Sequence, residues 1–160
     1  MSLQDTAGMT KLMLDDLHVG QIFRSESYVM DGDKIKAFAF EFDPQPFHTD
    51  EAAAAGTFFG ELVASGWHTA GVTMRLLVAS LPISGGLIGA GAEISWTRPT
   101  RPGDELYVES EIIEIRPSAK NPARGMVTVR SITKNQDGKT VQSITSRMVV
   151  PRRLPDSVSQ

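Results

Sequence analysis

The apolar residues change their spacing about halfway along the chain, and this change separates a helical part from a strand-rich part. Within residues 34–42 and 67–81 the apolar positions recur every three or four residues, as on one face of a helix. From residue 86 onward they alternate with polar residues, as expected for half-buried strands. The pattern predicts helices followed by a meander of about four antiparallel strands.

Residues 67–81 give the most informative helix prediction. Apolar or small residues occur at helical spacing along one side of this segment, and the opposite side carries three more apolar residues. A helix that is apolar on nearly all sides is usually surrounded by protein, so we expect the sheet to cover it. Ser65 and Gly66 are expected to begin this helix, and Pro82 to end it.

Two shorter helices are predicted earlier in the chain. Residues 34–42 place apolar side chains on one helical face, and Asp33 is the expected N-cap. Residues 51–55 are mostly alanine, and Thr49 or Asp50 is expected to cap them. These helices lie on either side of a segment that contains two prolines.

The predicted strands are bounded by turn residues. An early strand is expected to run to about Met30. Later strands are predicted over residues 89–98, 105–112, 126–134 and 140–150. Asp137-Gly138 stands between the last two strands and is a strong hairpin signal. One antiparallel sheet wrapped around one apolar helix explains both halves of the pattern, so the predicted fold class is α+β.

Length and composition fit one globular domain. The chain has 160 residues, of which 41% are hydrophobic and 22% charged. We expect flexible segments at residues 1–15 and 151–160 and a single domain over 16–150. The apolar stretch over residues 62–81 is interrupted by polar side chains, which favours a buried helix over a membrane span.

Charge and cysteine content exclude several kinds of function. The formal net charge of -3 gives no general basic field, so nucleic acid is not an expected partner. The absence of cysteine excludes disulfides, a cysteine nucleophile and thiolate metal sites. The N-terminal residues show no secretory signal pattern, and we expect a cytoplasmic protein.

The segment FDPQPFHTD contains the candidate chemistry. Asp43 and His48 stand five residues apart, and Pro44 and Pro46 lie between them. Each proline stiffens the chain and disfavours helical geometry at the residue before it, so neither Asp43 nor Gln45 is expected to be helical. A carboxylate and an imidazole on a rigid turn can both transfer protons near neutral pH.

Four segments together make the chain resemble the MaoC-like dehydratases, a family that includes the (R)-specific enoyl-CoA hydratases. They are DLHVGQIF, DPQPFHTD, LVASGWHTAGVTMRLL and RPTRPGDEL. The resemblance extends over about residues 16–150. It implies the hotdog fold, in which a curved antiparallel β-sheet wraps around a long central α-helix.

The resemblance also implies site residues. The hydratase motif of the family is Asp, any residue, Asn, Pro, any residue, His, and here Gln45 stands in place of the Asn. By resemblance, Asp43 and His48 hold and activate a water molecule, and the Gly66 amide holds the thioester oxygen. Gln45 is one methylene longer than Asn and is expected to place the water or the enoyl group differently. Trp67 is bulky where many relatives carry Met, and it is expected to contact substrate by narrowing the acyl pocket.

Each of these assignments has a structural alternative. Asp43 could cap a turn, His48 could be a partly exposed loop residue, and Gly66 could serve close packing. Trp67 and Trp96 could be core residues, although Trp96 could also line an acyl channel. His68 is expected to be a hydrogen-bonded core residue. Gly71 occupies the position at which some hydratases add a Ser contact.

The function implied by the resemblance is reversible hydration of a 2-enoyl-CoA thioester to an (R)-3-hydroxyacyl-CoA. The alternatives are an acyl-CoA thioesterase and a non-catalytic module that binds acyl-CoA or an acyl carrier. The resemblance implies no metal and no redox cofactor. Coenzyme A arrives as part of the substrate. Arg98, Arg101 and Arg124 could meet its phosphates, but each alone is more often a surface charge. A homodimer or an assembly of dimers is expected.

Overall fold

The computed structural model describes residues 8–154 and contains an antiparallel sheet with helices. Its strands are Ile22–Arg24 (β1), Tyr28–Val29 (β2), Ile88–Trp96 (β3), Glu105–Pro117 (β4), Arg124–Lys134 (β5) and Thr140–Pro151 (β6). Its helices are Gly32–Phe42 (α1), Pro46–Thr49 (α2), Glu51–Ala55 (α3) and Gly66–Ser80 (α4), with a 3-10 turn at Leu14–Asp16. The prediction of an α+β fold is confirmed.

The sheet consists mainly of long neighbouring strands in the order β1-β4-β5-β6-β3, and β2 also pairs with β4. The hairpin between β5 and β6 turns at Gly138, which has a positive φ of 71° that suits glycine. β3 lies at one edge of the sheet, and β6 is its partner among the described strands. The edge of β3 therefore has unpaired backbone groups.

Alternation of side chains explains how β4 covers the core. Leu106, Val108 and Ile112 are fully buried, while Glu109 and Glu111 lie on the other face and pair with basic residues of β5. The period of two in the sequence is thus the period of the pleat. In place of the one early strand that was predicted, the structure has two short strands, β1 and β2, and each pairs separately with β4.

Helix α4 is the long helix that the sequence predicts, and it begins at Gly66 and ends at Ser80. Six of its side chains are buried: Thr69, Val72, Thr73, Leu76, Leu77 and Ser80. The expectation that protein surrounds this helix on all sides is wrong for the single chain, because Trp67, Met74 and Val78 are exposed. One apolar side of the helix is left uncovered by the sheet.

The shorter helices show how local caps place the chain. Asp31, rather than the expected Asp33, caps α1, since its carboxylate accepts from the Lys34 N–H at 3.0 Å. Asp50 caps α3 by accepting from the Ala53 N–H at 2.7 Å, as predicted. Asp50 therefore fixes the start of α3, directly after the segment that carries the candidate site.

Residues near both ends of the described chain are bonded to the domain. Leu12 N–H donates to the Pro82 carbonyl, and Arg153 pairs with Asp16 through both terminal nitrogens of its guanidinium. The predicted flexible segments include residues 1–7 and 155–160, which lie outside the described part of the chain. None of the helices in residues 8–154 is long and apolar enough to cross a membrane.

Candidate functional site

The segment between α1 and α3 brings the candidate acid and imidazole together. Asp43 follows α1 as its C-cap with non-helical backbone geometry, and Gln45 precedes α2 in extended geometry, so neither is helical, as predicted. Pro46 begins α2, where its missing N–H has no cost. The single helical turn of α2 then directs His48 inward, and only 6% of this residue is exposed.

The two ring nitrogens of His48 face different groups. Nδ1 lies 2.7 Å from the Val63 carbonyl oxygen, which can only accept, so Nδ1 carries the proton. Nε2 lies 3.3 Å from Oδ2 of Asp43. The neutral ring therefore directs an unprotonated nitrogen toward the carboxylate, and a proton gained there forms an ion pair.

The Asp43 carboxylate is held by donors on both of its oxygens. Ser65 Oγ donates to Oδ2 at 2.7 Å, and Gln45 Nε2 donates to Oδ1 at 2.6 Å. Burial alone would raise the pKa of Asp43, but these hydrogen bonds and the nearby His48 ring hold that pKa below its ordinary value. Asp43 is therefore ionised at neutral pH. Its alternative reading as a turn cap does not account for these contacts.

Gly66 is the first residue of α4, directly after the Ser65 cap. Ser65 Oγ accepts from the Trp67 N–H at 3.3 Å. No acceptor within residues 8–154 takes the Gly66 N–H, so this amide remains available at the positive end of the helix dipole. Gly66 also serves close packing, because an added Cβ would lie 2.6 Å from Trp96 Cε2.

A cleft with a volume of about 350 Å³ opens beside these groups. Its lining combines one titratable ring, the start of α4, the end of β3 and the loops next to them: His48, Phe58, Phe59, Val63, Ala64, Gly66, Thr69, Trp96, Thr97, Arg98, Pro99 and Thr100. His48 and Gly66 line this cleft, while Asp43 does not. A ligand in the cleft thus contacts the His48 ring, and the Asp43 carboxylate lies next to Nε2 of that ring.

The position of Trp67 and the hydrogen bonding of His68, both in α4, differ from what the sequence predicted. Trp67 is 59% exposed and does not line the cleft; its ring packs edge-on against Trp96 at 5.2 Å between centroids. His68 has a buried Nδ1 without a hydrogen-bond partner in the described chain, so the prediction of a hydrogen-bonded histidine is wrong. Its ring stacks on Phe38 instead, and burial, followed by the charge of Lys34, lowers the pKa of His68.

The three arginines considered for phosphates have different surroundings. Arg98 lines the cleft and donates to the Thr140 carbonyl at 3.0 Å. Arg101 forms an ion pair with Glu61. Arg124 begins β5 and is exposed outside the cleft. Of the three, Arg98 is the one positioned to meet a ligand in the cleft.

Sequence reasoning missed the role of Ser65 and the anchoring of Trp96. A serine before a helix signals a cap, but its bond to Asp43 joins residues that are 22 positions apart in sequence. Trp96 is fixed by Gln142 on the neighbouring strand, a contact that depends on strand register. Neither contact has a local sequence signal.

The described geometry can support proton transfer next to a polarised oxygen. His48 offers a basic nitrogen, Asp43 stabilises its protonated form, and Gly66 offers a free amide donor. Within the described residues, no group of three acidic, histidine or cysteine side chains could hold a metal ion. The positions of His48, Asp43 and Gly66 fit acid–base chemistry beside a hydrogen-bond donor.

Comparison with solved structures gives the same fold. A MaoC-like dehydratase from Rhodospirillum rubrum is 56% identical with a TM-score of 0.87, and the match covers 90% of this chain and 99% of that chain. The unliganded (R)-hydratase PhaJ1 from Pseudomonas aeruginosa is 28% identical with a TM-score of 0.71, over 94% of this chain and 97% of that chain. The predicted hotdog fold is confirmed.

Curated relatives and a family model agree with the structural likeness. The uncharacterised protein YdeM from Bacillus subtilis is 34% identical, with 78% of this chain and 89% of the relative covered. A 3-hydroxybutyryl-CoA dehydratase from Methylorubrum extorquens is 29% identical, with 68% and 69% covered. The model of the MaoC-like domain matches residues 17–135. The chain therefore belongs to the MaoC-like dehydratase family.

Proposed function

We propose that the protein catalyses the reversible hydration of a 2-enoyl-CoA thioester to an (R)-3-hydroxyacyl-CoA. The observation that carries the proposal is the position of His48 and the free Gly66 amide on the walls of one cleft, with Asp43 in contact with His48. The similarity of the chain to the (R)-hydratase PhaJ1 and to a 3-hydroxybutyryl-CoA dehydratase supports it.

In the forward direction a water molecule adds across the double bond. Its oxygen bonds to the β-carbon, and the pair Asp43–His48 takes the released proton. The electrons of the double bond move toward the thioester oxygen and form an enolate. The same pair then returns a proton to the α-carbon, so that one water is consumed and no other reagent is needed. General acid–base assistance of this kind contributes about 10²–10⁴-fold in rate.

The enolate oxygen requires a donor that is already in place. The Gly66 N–H lies at the N-terminus of α4, where the helix dipole also favours negative charge. Loss of one oxyanion donor typically costs about 3–4 kcal/mol of barrier. In this proposal α4 both fills the concave side of the sheet and positions the donor.

The proposed reaction also indicates how coenzyme A is bound and where the protein acts. Coenzyme A arrives with the substrate, and the exposed Arg98 at the cleft is the proposed contact for one of its phosphates. The reaction requires neither a metal nor a redox cofactor. We propose a cytoplasmic location, where acyl-CoA thioesters are available as substrates.

We also propose that two copies of the chain assemble as a dimer. The edge of β3 can pair with the same strand of a second copy, which would remove an open edge of nine residues. The exposed apolar side of α4, with Met74 and Val78, would be covered in the same assembly. The apolar character of α4 on nearly all sides is then explained by a second protomer.

The test is turnover of a panel of 2-enoyl-CoA and 3-hydroxyacyl-CoA thioesters, with the chirality of the product determined. Loss of enoyl absorbance with formation of the (R)-product is the expected result. Release of free thiol from saturated acyl-CoA would instead identify a thioesterase. Binding of acyl-CoA that raises the melting temperature without any turnover would identify a binding module.

A further inference from the structure

The indole of Trp96 lies against the start of α4, directly beside the proposed oxyanion donor. A methyl group added at Gly66 would lie 2.6, 2.9 and 3.0 Å from Cε2, Cδ2 and Cζ2 of this ring. Trp96 also lines the cleft that contains His48. A ligand that reaches Gly66 from this cleft therefore lies in the same space as the indole.

A buried polar network fixes the orientation of the indole. Trp96 Nε1 donates to Gln142 Oε1 at 2.9 Å, and Gln142 is fully buried. Gln142 Nε2 donates in turn to Thr73 Oγ1 at 3.1 Å, and Thr73 shares a hydrogen bond of 2.7 Å with Thr133. A buried network in which every member has a partner makes its side chains rigid. The edge-on contact with Trp67 holds the ring from a further direction.

The opposite side of the cleft is built differently. Phe58 and Phe59 belong to the loop between α3 and α4, and Phe58 is 96% exposed. Few contacts hold such a side chain in place, whereas the Trp96 ring is held by hydrogen bonds and packing. The part of the cleft lining that Trp96 supplies is therefore held by hydrogen bonds, whereas the part that Phe58 supplies is exposed.

We infer that Trp96 is the specificity-determining wall of the acyl site and that it restricts the substrate to short acyl chains. The inference rests on the proposed function. The cleft is at the small end of ligand-binding pockets, and an indole is one of the largest side chains that can occupy its margin. A longer acyl chain would need the space that the pinned indole fills next to Gly66.

The test is the chain-length preference of Trp96→Ala, measured as kcat/KM for an eight-carbon enoyl-CoA divided by that for a four-carbon enoyl-CoA. We expect the ratio to rise by about tenfold or more, since a methylene group in an apolar pocket changes selectivity by about 10–200-fold. Gln142→Met removes the anchor of the indole and is expected to raise the ratio by less. Phe40→Ala, an exposed aromatic of α1 outside the cleft lining, serves as the control with an unchanged ratio.

A structural role alone would slow both substrates equally and leave the ratio at its wild-type value. That result for Trp96→Ala would overturn the inference while the proposed hydration stands. Trp96→Leu, which keeps an apolar side chain at this position, supplies the same comparison of kcat/KM ratios if the alanine variant does not fold. An unchanged ratio in the leucine variant would have the same consequence.

Binding without turnover separates this inference from the proposed reaction. The chain has two tryptophans, so Trp67→Phe leaves Trp96 as its single fluorescent indole. Titration of this variant with butyryl-CoA and octanoyl-CoA, which lack the double bond, is expected to change the fluorescence and to show tighter binding of the shorter chain. If the shorter chain binds more tightly while the wild-type protein hydrates no enoyl-CoA, the proposed hydration is refuted. The inference that Trp96 limits the length of the acyl chain is then still supported. If neither chain changes the fluorescence, the acyl wall is overturned.

Discussion

Ser65 Oγ donates a hydrogen bond of 2.7 Å to the Asp43 carboxylate and, from the same atom, caps the helix that presents the Gly66 amide. One hydroxyl thus couples the position of the proposed acid–base pair to the position of the proposed oxyanion donor. The coupling is direct, because Ser65 is fully buried and bonds to both elements. Its removal should affect stability and catalysis together.

We expect Ser65→Ala to lower the free energy of unfolding by about 1–3 kcal/mol, since both a helix cap and a charged hydrogen bond are lost. Ser65 is one of the groups that lower the pKa of Asp43, so the loss should depend on pH. A carboxyl with a lowered folded pKa stabilises the fold above its unfolded value of about 3.9, and this contribution disappears as pH falls through the folded value.

The difference between wild type and Ser65→Ala should therefore be larger at pH 7 than at pH 3, as measured by urea unfolding at each pH. Ser80→Ala provides the control, because its hydroxyl donates to the Leu76 carbonyl within the same helix and does not contact Asp43. Its cost should be the same at both pH values. Equal costs for Ser65→Ala at pH 7 and pH 3 would show that the hydroxyl does not stabilise the ionised carboxylate.

Asp43→Asn is expected to retain the fold and to lower the rate of hydration by about 10²–10⁴-fold. The amide keeps one acceptor oxygen, so it can retain the hydrogen bond from Ser65 or the one from Gln45 at that position, but it carries no charge to stabilise a protonated His48. Circular dichroism would check the fold, and the decrease of enoyl absorbance would give the rate. A variant with nearly the full wild-type rate would exclude the proposed role of Asp43.

The hydration rate should fall at acid pH. Because Nδ1 of His48 already donates to Val63, an added proton must occupy Nε2, the nitrogen that the proposed mechanism needs as a base. The measurement is kcat/KM as a function of pH between pH 5 and pH 9. A flat profile over this range would contradict proton transfer by the pair.

The sequence predicted the elements of the fold better than their relations in space. Alternation in β4 and the apolar spacing of α4 arise from local geometry, so both were predictable. The rigid turn also predicted non-helical Asp43 and Gln45. The exposure of Trp67 was not predictable, because a tryptophan at helical spacing gives the same sequence pattern whether it is buried or exposed. The anchor of Trp96 depends on a register that brings it opposite Gln142.

Gly66→Ala should destabilise the protein by about 1–3 kcal/mol, because the new methyl group would overlap the Trp96 ring and force it to move. The rate should fall as well, since the amide donor is displaced with the ring. Urea unfolding and enoyl hydration would measure the two effects. In the Trp96→Ala background the same substitution should cost much less stability. An equal cost in both backgrounds would exclude the clash as the cause.

Assembly into a dimer should depend on the exposed side of α4. Val78 is 47% exposed on a helix whose opposite side is buried, so a charge there is tolerated by the single chain but not by an apolar interface. If the chain forms the proposed dimer, Val78→Glu, alone or with Met74→Glu, should convert that dimer into a monomer. Light scattering coupled to size-exclusion chromatography would give the mass of each species.

Val29→Glu supplies the matched control for this experiment. Val29 is 60% exposed, but it lies on β2, which pairs with β4, whereas β3 forms the opposite edge of the sheet. The same charge at this position should leave the dimer intact. Pairing of the β3 edges would remain in the α4 variants and would hold some of the protein as dimer at high concentration. The fraction of monomer in these variants should therefore rise as the protein is diluted. A wild-type chain that is monomeric at every concentration, or a Val78→Glu variant as dimeric as the control, would exclude the proposed interface.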